Sequence, residues 1–171
     1  MGATSLDAPS RCWALAQINI ARLVAPKGDP AVQPFFDAID AMNALAEASP
    51  GFLWRLEGEY GDATDLNPTG DEQVIINMSA WSGRDALFDY VYKSDHRQVL
   101  ARRREWFERS AGAYQALWWV PLGEWPDPEE GLSRVRHLDR FGPTARAFTF
   151  KAHFPPPDEE MPAAPARAAR R

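Results

Sequence analysis

The chain reads as an α+β domain: a four-stranded antiparallel sheet in split βαβ order, the ferredoxin-like arrangement, with one extra helix at the C-terminal end. Three observations predict it. Four short runs alternate apolar and other residues with period two. Runs with helical period separate the first from the second and the third from the fourth. One more helical run follows the last strand.

The first strand is "WALAQINIARLV", 13–24, with Ala14, Ala16, Ile18 and Ile20 on one face and Leu15, Gln17, Asn19 and Ala21 on the other. "PKGDP" breaks it. Asp29 then caps a helix opening at Pro30, with Val32, Phe35, Phe36, Ile39 and Met42 on its apolar stripe, and "SPG" at 49–51 ends it. "FLWRLE", 52–57, is the second strand. The polar stretch 58–72 is long for a hairpin and suggests a lid or rim loop. "QVIINMSAW", 73–81, is the third strand, with Val74, Ile76, Met78 and Ala80 opposed to Ile75, Asn77, Ser79 and Trp81. Ser82 with Asp85 looks like a capping box for a helix through Tyr92, and Ser94 is placed to cap the next. "QALWWVP", 115–121, is the fourth strand. Asp127-Pro128 starts the last helix, with Leu132, Val135, Leu138 and Phe141 inward, and Gly142-Pro143 stops it. "AFTFKAHF" adds an extended arm. Residues 1–12 read as a flexible leader, 13–154 as a single domain, and 155–171, rich in Pro, Ala and charge, as a disordered tail.

Composition narrows the function classes. A net charge of -5 argues against nucleic acid as a standing partner. No apolar run reaches membrane-spanning length. The single cysteine, Cys12, excludes an internal disulfide and fits a cytoplasmic protein. There is no Gly-rich phosphate loop and no Gly-x-Ser-x-Gly elbow. No His and carboxylate set stands at metal-ligand spacing, so no metal is expected.

The helix in "SDHRQVLARRREWFERS", 94–110, is the informative segment. His96, Val99, Leu100, Arg103, Trp106 and Phe107 share one arc, so a titratable ring and a fixed positive charge sit within the apolar stripe. With Ser94 as cap, His96 stands second in the helix, where the helix dipole favours the neutral ring. Arg103 lies two turns on, roughly 10 Å along the axis. It could hold a carboxylate or enolate; alternatively it is paired with Glu or Asp, or snorkels to water. For His96 the alternative is a packing role satisfied by a backbone carbonyl.

The sheet carries a second signal. If Ile18, Ile20, Ile76 and Met78 pack on the helices, the other face carries Gln17, Asn19, Asn77, Ser79 and Trp81. Strand parity adds Trp54 or Arg55, and Trp118 or Trp119; Trp54 and Trp119 are taken as lining residues. Aromatic rings with a few neutral polar groups suit a ligand cavity or a dimer interface.

The segments "LAQINIARL", "NALAEASPGFLWRL", "SAWSGRDALFDYVYKSDHRQVLARRREWF", "LWWVP" and "FGPTARAFTF" resemble an uncharacterised bacterial family, the domain of unknown function numbered three-two-nine-one. That family is similar to the dimeric α/β-barrel superfamily, in which two sheets close face to face. The resemblance implies a homodimer with a pocket inside the barrel. In the superfamily's cofactor-independent monooxygenases, an Asn, a Trp or Tyr and a His line the pocket; Asn19, Tyr90 and His96 stand at comparable places here. The superfamily also has a haem-degrading branch, whose ligand His would fall near Leu100 rather than at His96. No cofactor is expected, with haem as the one alternative.

The expected activity is therefore a cofactor-free monooxygenase acting on an aromatic or polyketide-like small molecule. His96 would be the base, Arg103, Asn19 and Asn77 would stabilise the anion, and Gln17, Trp54, Trp81, Tyr90, Trp106 and Trp119 would complete the pocket. The alternatives are an isomerase, cyclase or lyase using the same deprotonation without oxygen, and a non-catalytic binding dimer.

Overall fold

The computed structural model describes residues 12–58, 63, 64, 66 and 68–157. Residues 1–11 of the expected leader (1–12), 158–171 of the expected tail (155–171) and parts of the 58–72 connection lie outside the described residues.

The elements follow the expected order: β1 (Trp13–Arg22), α1 (Gln33–Glu47), β2 (Phe52–Arg55), β3 (Val74–Trp81), α2 (Arg84–Lys93), α3 (His96–Trp106), β4 (Gln115–Pro121) and α4 (Pro128–Phe141). The four strands form one antiparallel sheet in the order β2-β3-β1-β4. This is the ferredoxin-like arrangement predicted above, with one added helix. The central pair is in direct register, Gln17 facing Ser79, Ile18 facing Met78 and Asn19 facing Asn77.

Several boundaries differ. α1 opens at Gln33 rather than Pro30, because Asp29 turns back on itself and accepts a hydrogen bond from Ala31 N (2.8 Å). Ser82 does not cap α2, whose N-cap is Gly83. The chain breaks at Ser94, whose Oγ donates to Tyr90 O and accepts from His96 N (3.2 Å). α3 therefore begins at His96 and ends at Trp106. The segment after β4 and α4 does run beside the sheet: Leu117 and Phe148 exchange both backbone hydrogen bonds.

The largest departure concerns the two faces of the sheet. The residues sharing each face are those the alternation predicts, but α1, α2 and α3 sit on the other side, and only the added helix α4 packs on the Ile18–Met78 face. Ala14, Ala16, Ile18, Ile76, Met78, Ala80, Trp118 and Val120 form one buried cluster with Leu132, Val135 and Leu138 of α4. Asp127 caps α4 by accepting from Glu130 N (2.8 Å), and Gly142 closes it at a positive φ, 71°. Gly131 lets the helix approach closely: a Cβ there would stand 2.7 Å from Ile18 Cδ1. Phe141, expected inward, is 61% exposed.

The amide-bearing face instead meets α1, α2 and α3. Leu15, Trp81 and Leu117 cluster with Ala46, Leu87 and Val91, and Leu23 and Ile75 with Val32 and Phe35. α4 lies over the Ile18–Met78 face, and the polar residues expected to face a chamber between two subunits face α1–α3 of their own chain.

Candidate active site

Between the sheet and α1–α3 lies a cavity of about 250 Å³. That is larger than the roughly 150 Å³ apolar void that admits benzene. All six residues of the α3 stripe line it: His96, Val99, Leu100, Arg103, Trp106 and Phe107. The unusual composition of that stripe follows, because the helix faces a void and not a close-packed core. α1 contributes Phe35, Ile39, Met42 and Asn43, and α2 contributes Leu87, Tyr90 and Val91. Ala63 and Thr64, from the long connection after β2, close part of the wall, and Lys27 Nζ donates to Thr64 O.

On the sheet side an amide chain crosses the two central strands. Asn19 Nδ2 donates to Gln17 Oε1 (2.7 Å), and Gln17 Nε2 donates to both Asn77 Oδ1 (3.0 Å) and Ser79 Oγ (2.9 Å). Trp81 Nε1 donates to the same Ser79 Oγ (2.8 Å). Gln17 and Ser79 are buried, and each is satisfied, as buried polar groups must be. Asn77, in the middle of an inner strand, is nonetheless exposed, because the cavity opens above it. Its Nδ2 hydrogens have no partner among the described residues and remain available to an anion.

His96 is the first residue of α3, and its Nδ1 lies 3.3 Å from Val91 O. A carbonyl only accepts, so Nδ1 carries the proton and Nε2 of the neutral ring is a free base. Burial holds the ring's pKa below its ordinary value, the bond to Val91 opposing in part. The helix N-terminus disfavours the imidazolium further. The backbone-carbonyl bond expected of a packing histidine is thus present, yet it is the bond that fixes the useful tautomer.

Tyr90 packs against His96, ring centroids 4.8 Å apart, and stacks on Trp81 at 5.0 Å. Burial pushes its phenol up to about 12, and its hydroxyl donates to Met42 O (3.2 Å). It is therefore a protonated wall. Arg103 has no carboxylate partner among the described residues, contrary to the paired alternative. Its guanidinium carbon sits 4.4 Å from the centroid of Tyr114.

Three expected lining residues are elsewhere. Trp54 is on the α4 side, stacked on Trp125 at 5.9 Å, because an irregularity between Phe52 and Trp54 shifts the strand's parity. Trp119 is on the cavity face but beyond the cavity, donating Nε1 to Phe154 O (2.7 Å). Trp81 is fully buried behind Tyr90 and supports the wall without forming it. Gln17, Asn19, Asn77, Tyr90, His96, Arg103 and Trp106 are brought together at the cavity. Tyr114 and the α1 residues Phe35, Met42 and Asn43 were not anticipated.

Residues 14–164 match the model of a family described as a domain of unknown function, DUF3291. The chain belongs to that family. No curated protein matches it. Among solved structures it is similar to a conserved protein from Methanosarcina mazei Go1 (TM-score 0.46, 11% identity, covering 64% of this chain and 93% of that one). It is also similar to Rv0793 from Mycobacterium tuberculosis (0.42, 20%, 66% and 99%). A third is a protein from Nitrosomonas europaea provisionally assigned as an antibiotic biosynthesis monooxygenase (0.41, 13%, 68% and 95%). At these identities the likeness is one of fold.

Among the described residues no three His, Cys, Asp or Glu side chains are grouped as a metal site requires. Among the described residues no helix is long and apolar enough to cross a membrane.

Proposed function

We propose that this protein is a cofactor-independent monooxygenase that acts on a small aromatic or polyketide-like molecule with an acidic C–H. The observation that carries the reading is the His96 imidazole. It is neutral, fixed with Nε2 unprotonated, and placed in one cavity with the Arg103 guanidinium and the Asn77 Nδ2, neither of which has a carboxylate or hydrogen-bond acceptor among the described residues. His96 Nε2 takes the proton, and Arg103 and Asn77 Nδ2 stabilise the enolate or phenolate that forms. The apolar walls from Val99, Leu100, Phe35 and Trp106 exclude water and strengthen both contacts.

The electron-rich carbanion then reduces O₂ directly. A C–O bond forms at the deprotonated carbon to give a hydroperoxide, and loss of water leaves a ketone. In sum, R₂CH₂ and O₂ give R₂C=O and H₂O. The residues assigned to each role all come from one chain.

The test is oxygen uptake with a panel of enolisable aromatic ketones, comparing the parent with His96→Gln. One O₂ is consumed per ketone formed, and the variant is slower by about 10²-fold or more. Turnover without oxygen uptake would assign the same deprotonation to an isomerase or cyclase. An unchanged rate in His96→Gln would remove the base and the reading with it.

A further inference from the structure

The cavity does not end at Arg103. A second chamber of about 220 Å³ adjoins it, and Ile20, Ala21, Arg103 and Tyr114 line both. Arg103, lying over the Tyr114 ring, therefore stands at the junction. The chamber exists because the chain leaving α3 is pinned to the end of β1: Leu23 pairs with Phe107, Glu108 N donates to Arg22 O (2.9 Å), and Ile20 N donates to Tyr114 O (2.8 Å). Glu108, Arg109, Ser110, Ala113 and Tyr114 of the segment between these ties line the chamber.

The lining has two parts. Ile20, Ala21, Val74 and Ala113 supply apolar surface. Against it stand three arginines, Arg22, Arg103 and Arg109, and one carboxylate, Glu108. Glu108 is engaged by Arg22, which also holds Asp71 at 3.0 Å. Arg103 and Arg109 have no carboxylate partner among the described residues. Two guanidiniums without counter-charge beside an apolar floor fit an acid on a short hydrocarbon stem. The nearby Glu108 carboxylate favours a monoanion over a phosphate dianion.

We infer that the second chamber is a carboxylate subsite. It takes the acidic arm of a substrate whose ring occupies the first cavity, and Arg103 and Arg109 set the preference. The inference rests on the first cavity being the substrate site, and it does not depend on His96 acting as a base. The substrate class is thereby narrowed to aromatic compounds carrying a carboxylate at the end of a flexible chain.

The test is calorimetric binding of 4-phenylbutyrate and of 4-phenylbutan-1-ol, which share ring and chain and differ in charge. The acid binds about tenfold tighter than the alcohol, or better, and added salt weakens the acid alone. Arg109 is exposed, so Arg109→Gln disturbs no packing. In that variant the gap between the two compounds narrows and the alcohol's affinity is unchanged. Equal binding of the two, or a gap that survives Arg109→Gln, overturns this inference and leaves the first cavity standing. Failure of both compounds to bind overturns it together with the substrate site. No turnover enters the measurement, so loss of the base chemistry is a separate result.

Discussion

The seating of α4 decides whether the site belongs to one chain or two, and Gly131 tests it. An added Cβ there would lie 2.7 Å from Ile18 Cδ1 and 3.1 Å from Met78 Sδ and Cε. For Gly131→Ala two effects oppose. Helix propensity gains about 1 kcal/mol, and overpacking costs about 1–3 kcal/mol. The opposing atoms are the ends of flexible side chains, so the net loss is about 0–1 kcal/mol. Gly131→Leu must place three more carbons in the same space. The helix then lifts, and Leu132, Val135 and Leu138 lose part of a burial worth about 1.5–3 kcal/mol each. A loss of about 3–5 kcal/mol follows, a large share of an ordinary domain's stability. Urea unfolding followed by tryptophan fluorescence reads it, with Trp118, fully buried beneath α4, among the reporters. A leucine variant within about 0.5 kcal/mol of the parent would show that α4 does not lie on this face. The face would then be free for a partner sheet, and the single-chain site would need rebuilding.

Other outcomes follow from the same geometry. Burial lowers the His96 pKa in the folded state, whereas the unfolded chain titrates near ~6.5. The unfolded state thus takes up the proton first, so stability falls as pH drops below about 6.5 and levels once the folded ring is protonated. Urea midpoints across that window show the slope in the parent and not in His96→Gln. Gly51→Ala forces an Ala into φ 82° with its Cβ 2.6 Å from Ala86 Cβ, at a cost of about 2–4 kcal/mol in the same unfolding assay. Asn77→Leu takes the acceptor away from the buried Gln17 Nε2, so it costs about 1–3 kcal/mol in the same unfolding assay, and it weakens binding of an anionic ligand in a calorimetric titration. Trp54→Phe leaves that binding unchanged, because Trp54 packs on Trp125 across the sheet from the cavity.

What the sequence disclosed was local. The period of α3 placed six residues on one arc, and all six line the cavity. Alternation in β1 and β3 correctly sorted Ile18 and Met78 from Gln17, Asn77 and Ser79. Parity says which residues share a face, but not which face the helices take. Both faces of this sheet are covered, one by α1–α3 and the other by α4, so apolar character alone could not orient it. Trp54 was misplaced because the irregularity after Phe52 changes parity within a four-residue strand and has no Gly or Pro to announce it. Tyr114 was missed for a different reason. It gains its place from the ties between β1 and the segment leaving α3, which are distant in sequence.

The amide chain also separates a site from a core. A sheet face packed tightly under helices gains nothing from three neighbouring amides; Val or Leu would bury more apolar surface with no polar group to satisfy. Here Gln17 is buried and makes three side-chain bonds, which only holds Asn19 and Asn77 in fixed orientations. Asn77 is then left exposed on an inner strand, facing a space bounded by His96 and Arg103. A core would have filled that space, because interiors tolerate few voids larger than a water molecule. The arrangement makes physical sense if the missing volume belongs to a ligand: the buried glutamine is the support, the exposed asparagine is the contact, and α1–α3 leave the room between them.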